Sequence, residues 1–404
     1  MNTKLPNSFR LQFAASTISN IGDGMVAAAA PLLTLSLTSD PRLISGVSFA
    51  SFLPWLLLSL PAGVYIDRFN RRTLMVTVNI VRAILFGVIA ICAATSNLTI
   101  WWFMLVLVGV GSCEVIFDMS AQAFLPEIVP GPLLEKSNGM LSAAESVANS
   151  FVGLPIGAWA FVIAVGFPFG VNAAALAIAA LLVAQIRIPV QAIDARRSVS
   201  ERSFAQELKQ GIRWLISHPL IRTLAIMLGV VNMTSMFGGS ILVKYSADIL
   251  GVTGRGYGLL LSVFAVGSII GGLIGSRIAS IFGTGYAIIF TFVIFSSYGL
   301  VFVFFPYIWA IALAMIVSSI AGTTWNIVTV SLRQRIIPIE LFGRVNSVYR
   351  FVGTGSIALG AIIGGQVAYH YGLKAPFLAS AIVSFIALVW GAPQILRATR
   401  SHRI

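Results

Sequence analysis

The sequence predicts an all-α membrane protein: twelve transmembrane helices in two pseudo-symmetric six-helix bundles. Three observations predict it. Of the 404 residues, 58% are hydrophobic and 10% charged, where a soluble domain carries about 25% charge. A soluble fold of this size has too little interior to hide so much apolar surface, so lipid must solvate most of the chain. The apolar residues also fall into twelve runs, each near the ~20 residues a helix needs to cross a core of ~30 Å. Finally, the chain repeats itself at an offset of about 208 residues, the sequence form of a repeat architecture. Gly63 lines up with Gly271, Trp101 with Trp309, Pro130 with Pro338, Asn138 with Asn346, Gly157 with Gly365 and Phe169 with Phe377, and no gap is needed.

In order, the spans cover about 9–37, 43–66, 73–95, 99–125, 137–164, 167–187, 219–246, 255–280, 284–305, 307–333, 343–370 and 374–396. The first run is too long for the short apolar core of a signal peptide, so it is expected to be an uncleaved helix. Breaks fall at polar or Pro-rich clusters such as Asp67-Arg-Phe-Asn-Arg-Arg72 and Pro126-Glu-Ile-Val-Pro130. Interior glycines, among them Gly109, Gly111, Gly267 and Gly271, permit the close helix approach that packing in lipid favours.

The basic residues set the orientation. Lys4, Arg10, Arg68, Arg71, Arg72, Lys136, Arg187, Arg333, Arg335, Arg344 and Arg397 fall on one side, with Arg42, Lys244, Arg255 and Lys374 opposite. The positive-inside rule then places both termini in the cytoplasm. The +13 net charge therefore speaks of membrane topology and not of nucleic acid. The expected domains are 1–187, a cytoplasmic linker 188–218, and 219–404. Within the linker, Phe204, Leu208, Ile212 and Leu215 share one helix face, with Ser203 and Glu207 suited to its start. A short amphipathic helix on the cytoplasmic membrane surface is expected.

Enzymatic chemistry finds little support. Cys92 and Cys113 lie in apolar runs, as buried apolar side chains do, and the three histidines are too scattered for a metal cluster. No Cys/His pair, nucleophile motif or phosphate-binding GxxxxGK[ST] occurs. No cofactor or metal is expected. The segment between the halves is too short for a sensor's output domain. A long apolar chain of two parallel halves points instead to a secondary transporter whose lobes rock about a midplane site.

Gly63-Val-Tyr-Ile-Asp67-Arg68-Phe-Asn-Arg71-Arg72, after the second span, resembles the loop signature of the major facilitator superfamily. Physically, Gly63 admits a neighbouring helix, Asp67 can face a positive helix N-terminus, and Arg68, Arg71 and Arg72 can anchor in anionic headgroups. Gly275 stands where the second half would repeat the aspartate. Two further stretches are similar to a bacterial branch that includes enterobactin exporters and macrolide efflux proteins. They are Ala121-Gln-Ala-Phe-Leu-Pro126-Glu-Ile-Val-Pro130 and Glu207-Leu-Lys-Gln-Gly211-Ile-Arg-Trp-Leu-Ile-Ser-His218-Pro219. That resemblance implies export of an amphiphilic organic molecule across the inner membrane by proton antiport. Two departures weaken the coupling: Leu105 stands where many drug antiporters carry an arginine, and Pro155 falls one place late in the fifth-span pattern of Gly153 and Gly157.

Charges at bilayer depth are costly and are functional candidates by default. Asp23 lies about 22 Å along the first span at 1.5 Å per residue. It stands one turn past Asn20 and between Gly22 and Gly24, which would let the helix distort beside the carboxylate. Such a site suits a proton carrier or a contact to a cationic substrate, or a structural carboxylate satisfied by a neighbouring helix. Glu114 and Asp118 share one helix face; either they face a cavity and share a proton, or Arg82 neutralises one of them. Glu145 and Arg350, at nearly equivalent repeat positions, are candidates for a gate salt bridge or for static pairs. Lys244 and Asp248 suit a surface ion pair. Asn232, Trp325 and Asn326, with Asn20, are candidate cavity-lining residues.

The expected partners are a small-molecule substrate, protons and lipid, with one chain sufficing for a pathway. The alternatives are a transporter of a nutrient or lipid with other coupling or direction and, less favoured, a membrane-embedded enzyme or a sensor.

Overall fold

Two helices begin with a polar cap ahead of an apolar run. Asn70 caps α3 (Arg71–Ala94), its side chain accepting from the Thr73 amide, and Thr99 caps α4 (Ile100–Ile128) in the same way from Trp102. The structure, a computed structural model, describes residues 5–187 and 204–401, and of residues 60–65, 67, 68, 204, 205, 339, 400 and 401 only the backbone. Among the described residues every regular element is a helix, and twelve helical stretches are long and apolar enough to cross a membrane. The linker residues 188–203, with Ser203, lie outside the described residues.

The chain forms two units: Met1–Leu37, Leu53–Glu201 and Gly254–Ser262 make the first, and Thr38–Phe52, Arg202–Thr253 and Val263–Ile404 the second. The division departs from chain-order halves in two places. The opening of α2 (Pro41–Arg68) groups with the second unit, and the opening of α11 (Gly254–Phe282) with the first.

In the first unit, α1 (Asn7–Leu37) and α3 both pack on α7 (Phe167–Ala184), and α3 also packs on α4. The fifth span is not one regular helix. A 3-10 turn at Gly131–Leu133 leads into α5 (Leu134–Ser146), then a π-helical stretch, Val147–Gly153, then α6 (Leu154–Ile163). Pro155 has no amide hydrogen to donate back along the helix, and the widened turns before it accommodate that loss. Phe9, Met75, Phe124, Val183 and Ile186 form a core at one end of the unit.

The second unit repeats this packing. It contains α9 (Pro219–Gly239), α12 (Thr284–Phe304), α13 (Ile308–Ile336), α14 (Ile339–Tyr371) and α15 (Ala375–Ser401). Here α9 and α12 pack on α15, α12 packs on α13, and α9 packs on α14, the repeat-equivalents of the first-unit pairs. The seventh span breaks after Gly239 and resumes as α10 (Leu242–Asp248). That short helix brings Tyr245 onto Phe302 and Phe377, themselves stacked at 4.2 Å, and the Tyr245 hydroxyl donates to the Phe302 carbonyl at 2.6 Å.

The amphipathic segment forms α8 (Phe204–Ser217), which packs on α14 and α9 while Ile212 of its apolar face stays exposed. Leu215 is buried in the unit's core, with Leu208 and Trp214 against it. Arg344 of α14 clamps the polar side, donating to Glu207 at 2.7 Å and Gln210 at 2.6 Å.

The four basic residues assigned to the outer side are all held by protein. Arg42 pairs with Asp40 at 2.8 Å and lies over the Tyr369 ring at 3.6 Å; its guanidinium holds the Asp40 carboxyl below the usual carboxylate range. Arg255 lies over Trp159 at 4.0 Å, and Lys244 pairs with Asp248 at 2.7 Å. Lys374 donates to the Val303 carbonyl at 3.0 Å.

Candidate functional site

Two constellations stand out, one in each unit. In the first unit the Arg82 side chain, almost wholly buried on α3, donates to Asp23 of α1 at 3.0 Å, and Asn172 of α7 donates to the same carboxylate oxygen at 3.2 Å. Three helices thus meet on one carboxylate. Glu114 and Asp118 of α4 lie within electrostatic reach of Arg82, and Glu145 of α5 within reach of Asp23. Arg82 takes Asp23 as its direct partner, and its charge is shared at longer range by the α4 pair. One guanidinium therefore stands among four carboxylates.

Two glycines make this assembly possible. A Cβ on Gly22 would collide with Asn172, and one on Gly24 with the backbone of Asn149 in the π-helical stretch. The helix runs unbroken through both positions, without the distortion that the glycines would allow. They bring α7 and the fifth span against it. Asn20, one turn earlier, donates to the Ser16 carbonyl of its own helix at 2.8 Å. Arg82 Nε, Asn172 Oδ1 and both polar atoms of Asn79, one turn before Arg82, are buried with no hydrogen-bond partner among the described residues.

The loop basic residues do structural work. Arg71 donates to Glu127 at 2.6 Å and to the Ala123 carbonyl at 3.0 Å, near the C-terminal end of α4. Arg72 donates to the Ile186 carbonyl just past α7 at 2.8 Å. Arg71 and Arg72 open α3, but their guanidinium groups reach the C-terminal ends of α4 and α7, where helix dipoles favour positive charge. Gly63, Asp67 and Arg68 fall on the last turns of α2, where only the backbone is described.

The second unit holds a cavity of about 430 Å³ among α9, α12, α13 and α14, within the size range of small-molecule sites. Asn232, Trp325, Asn326 and Arg350 line it. Asn232 also donates to the Gly353 carbonyl at 2.9 Å, and Trp325 packs edge-on against Phe292. Sequence reasoning missed Arg333, Asn346 and Tyr349, which line the same cavity. The Arg333 guanidinium donates to Asn346 Oδ1 and lies over the Tyr349 ring at 4.0 Å. Arg333 had been read as a topology charge and Asn346 as a scaffold match to Asn138. Asn172 was missed too, although an asparagine inside the apolar run of the sixth span was a visible signal.

Two bundles with equivalent packing, and buried polar groups facing inward from their helices, define a major facilitator superfamily transporter. Residues 5–403 match the family model described as transmembrane secretion effector, and the chain belongs to that family. It is 28% identical to the multidrug efflux pump Tap of Mycolicibacterium fortuitum over 94% of this chain and 93% of that protein. It is 24% identical to macrolide efflux protein A of Streptococcus pyogenes, over 95% and 96% respectively. Among solved structures, the nucleoside transporter NupG superimposes with a TM-score of 0.78 at 13% identity, covering 96% of this chain and 99% of that one. A bacterial homologue of the human lysosomal transporter Spinster gives 0.72 at 14% identity, covering 97% and 96%. At those identities the likeness is one of fold.

Proposed function

We propose that this transporter exports amphiphilic small molecules across a bacterial inner membrane, with both termini cytoplasmic, and that proton exchange at the Asp23–Arg82 cluster drives it. The observation that carries the coupling is the ion pair itself. Arg82 is buried and Asp23 only partly so; a charge taken out of water is expensive to keep, and removing its partner leaves it uncompensated. A carboxylate whose cation can be exchanged for a proton is a natural coupling element, and the neighbouring Glu114, Asp118 and Glu145 supply further places to hold one. The full-length likeness to two efflux proteins supports the direction.

Everted membrane vesicles provide the test. Accumulation of a fluorescent amphiphile should collapse when the pH gradient is dissipated. Asp23→Asn should abolish gradient-dependent accumulation while the protein remains in the membrane at normal abundance. Wild-type accumulation by that variant would sink the role given to Asp23.

A further inference from the structure

Every strong cation described in the first unit's cluster faces carboxylates, yet Arg333 in the second unit faces none. Its side chain is more than nine-tenths buried, and its partners are neutral: Asn346, the Thr329 carbonyl and the face of Tyr349. Among the described residues no carboxylate lies within ion-pairing distance of it, and its Nη2 donates to no protein group. A buried guanidinium without a counter-charge is costly, and it stands at a cavity rather than in solid packing.

The rest of the wall is consistent in sign. Arg350 adds a second cation, Asn232 and Asn326 add neutral polar groups, and no acidic residue is among those lining the space. Leu228, Val231, Phe295 and Trp325 supply apolar surface. A planar guanidinium presents paired donors that match carboxylate or phosphate oxygens, and Arg is the side chain suited to that task.

We infer that the second-unit cavity binds the anionic group of an amphiphile, a carboxylate or phosphate held by Arg333 and Arg350 with its apolar body against Trp325 and Phe295. This deepens the efflux reading by naming a substrate class, and it rests on that reading only for the direction of movement. It also divides the labour: acids in one unit for protons, arginines in the other for the substrate's charge.

Binding to the purified full-length protein tests it, read by fluorescence anisotropy with carboxyfluorescein as the anionic probe and rhodamine 6G as the cationic one. Saturable carboxyfluorescein binding is expected. Arg333→Gln and Arg350→Gln should each weaken it about tenfold or more, the cost of a lost charged hydrogen bond, and rhodamine 6G should bind the wild type more weakly than carboxyfluorescein does. Arg333→Lys retains the charge without the planar fork, so it serves if the glutamine variant does not fold, and it should give a smaller but clear loss.

Absence of saturable carboxyfluorescein binding up to about 1 mM, where affinity is only ~4 kcal/mol, would overturn the proposal. So would wild-type affinity in the folded Arg333 variants. Competition identifies the source of the anion. Displacement by dihexanoyl-phosphatidylglycerol but not by dihexanoyl-phosphatidylcholine supports the site and assigns it to a lipid headgroup; no displacement by either supports it and assigns it to a free organic anion. Since binding needs no gradient, Arg333-dependent binding by a protein that fails to pump in vesicles would refute export and leave the anion site standing.

Discussion

Asp23 and Arg82 were each conspicuous in the sequence, because a charge inside an apolar run is expensive wherever its partner lies. Their pairing was not legible. Which of Asp23, Glu114 and Asp118 meets Arg82 depends on how α1, α3 and α4 rotate against one another, and a linear sequence does not encode that. The pairing has a measurable consequence. Arg82→Gln should cost about 1–3 kcal/mol of stability, less than for a wholly buried pair because the Asp23 side chain keeps 27% of its exposure. The double variant Asp23→Asn with Arg82→Gln should lose much less than the two single losses summed. Thermal unfolding in detergent of the four proteins checks this, and additive losses would mean that the two side chains do not act as a pair. Arg333 was misread for a related reason: its place near a helix end made it a topology marker, and only the fold shows it turned onto a cavity.

At the level of the element, the contact between α1 and the π-helical stretch carries the first-unit site. The sequence offered Pro155 and the glycines but not the widened turns between them, since local widening of a helix leaves no periodic trace over seven residues. Gly24→Ala should destabilise the protein by about 1–3 kcal/mol, the range for overpacking, because its Cβ would fall on the Asn149 carbonyl. Gly139→Ala, in α5 with nothing within 4 Å of the added atom, should instead gain about 0.5–1 kcal/mol from helix propensity. Comparable losses for both would remove the significance of that contact. The α8 helix teaches a complementary limit. Periodicity reports which face is apolar but not what covers it: Leu215 of α8 is buried in the unit's core, Ile212 stays exposed, and Arg344 holds the polar side.

For the whole molecule, the twelve spans and the repeated packing were readable because hydrophobic length and self-similarity are properties of the sequence itself. Orientation is a further expectation from the basic residues. With Cys92 and Cys113 replaced by alanine, Asn97→Cys, between α3 and α4, should react in intact cells with an impermeant maleimide. Gly131→Cys, between α4 and α5, should not. The reverse labelling pattern would invert the topology. The repeat sets the expected division into 1–187 and 219–404, while the first turns of α2 and α11 each group with the opposite unit. Arg42 rests on Tyr369 and Ser45 fills the space left by Gly365, while Arg255 rests on Trp159. A polypeptide cut between the two halves would therefore yield two fragments that each lack a piece of their own fold. Neither fragment is a self-sufficient building block, and a chimaera that exchanges halves between relatives must carry residues 38–52 and 254–262 along with their packing partners.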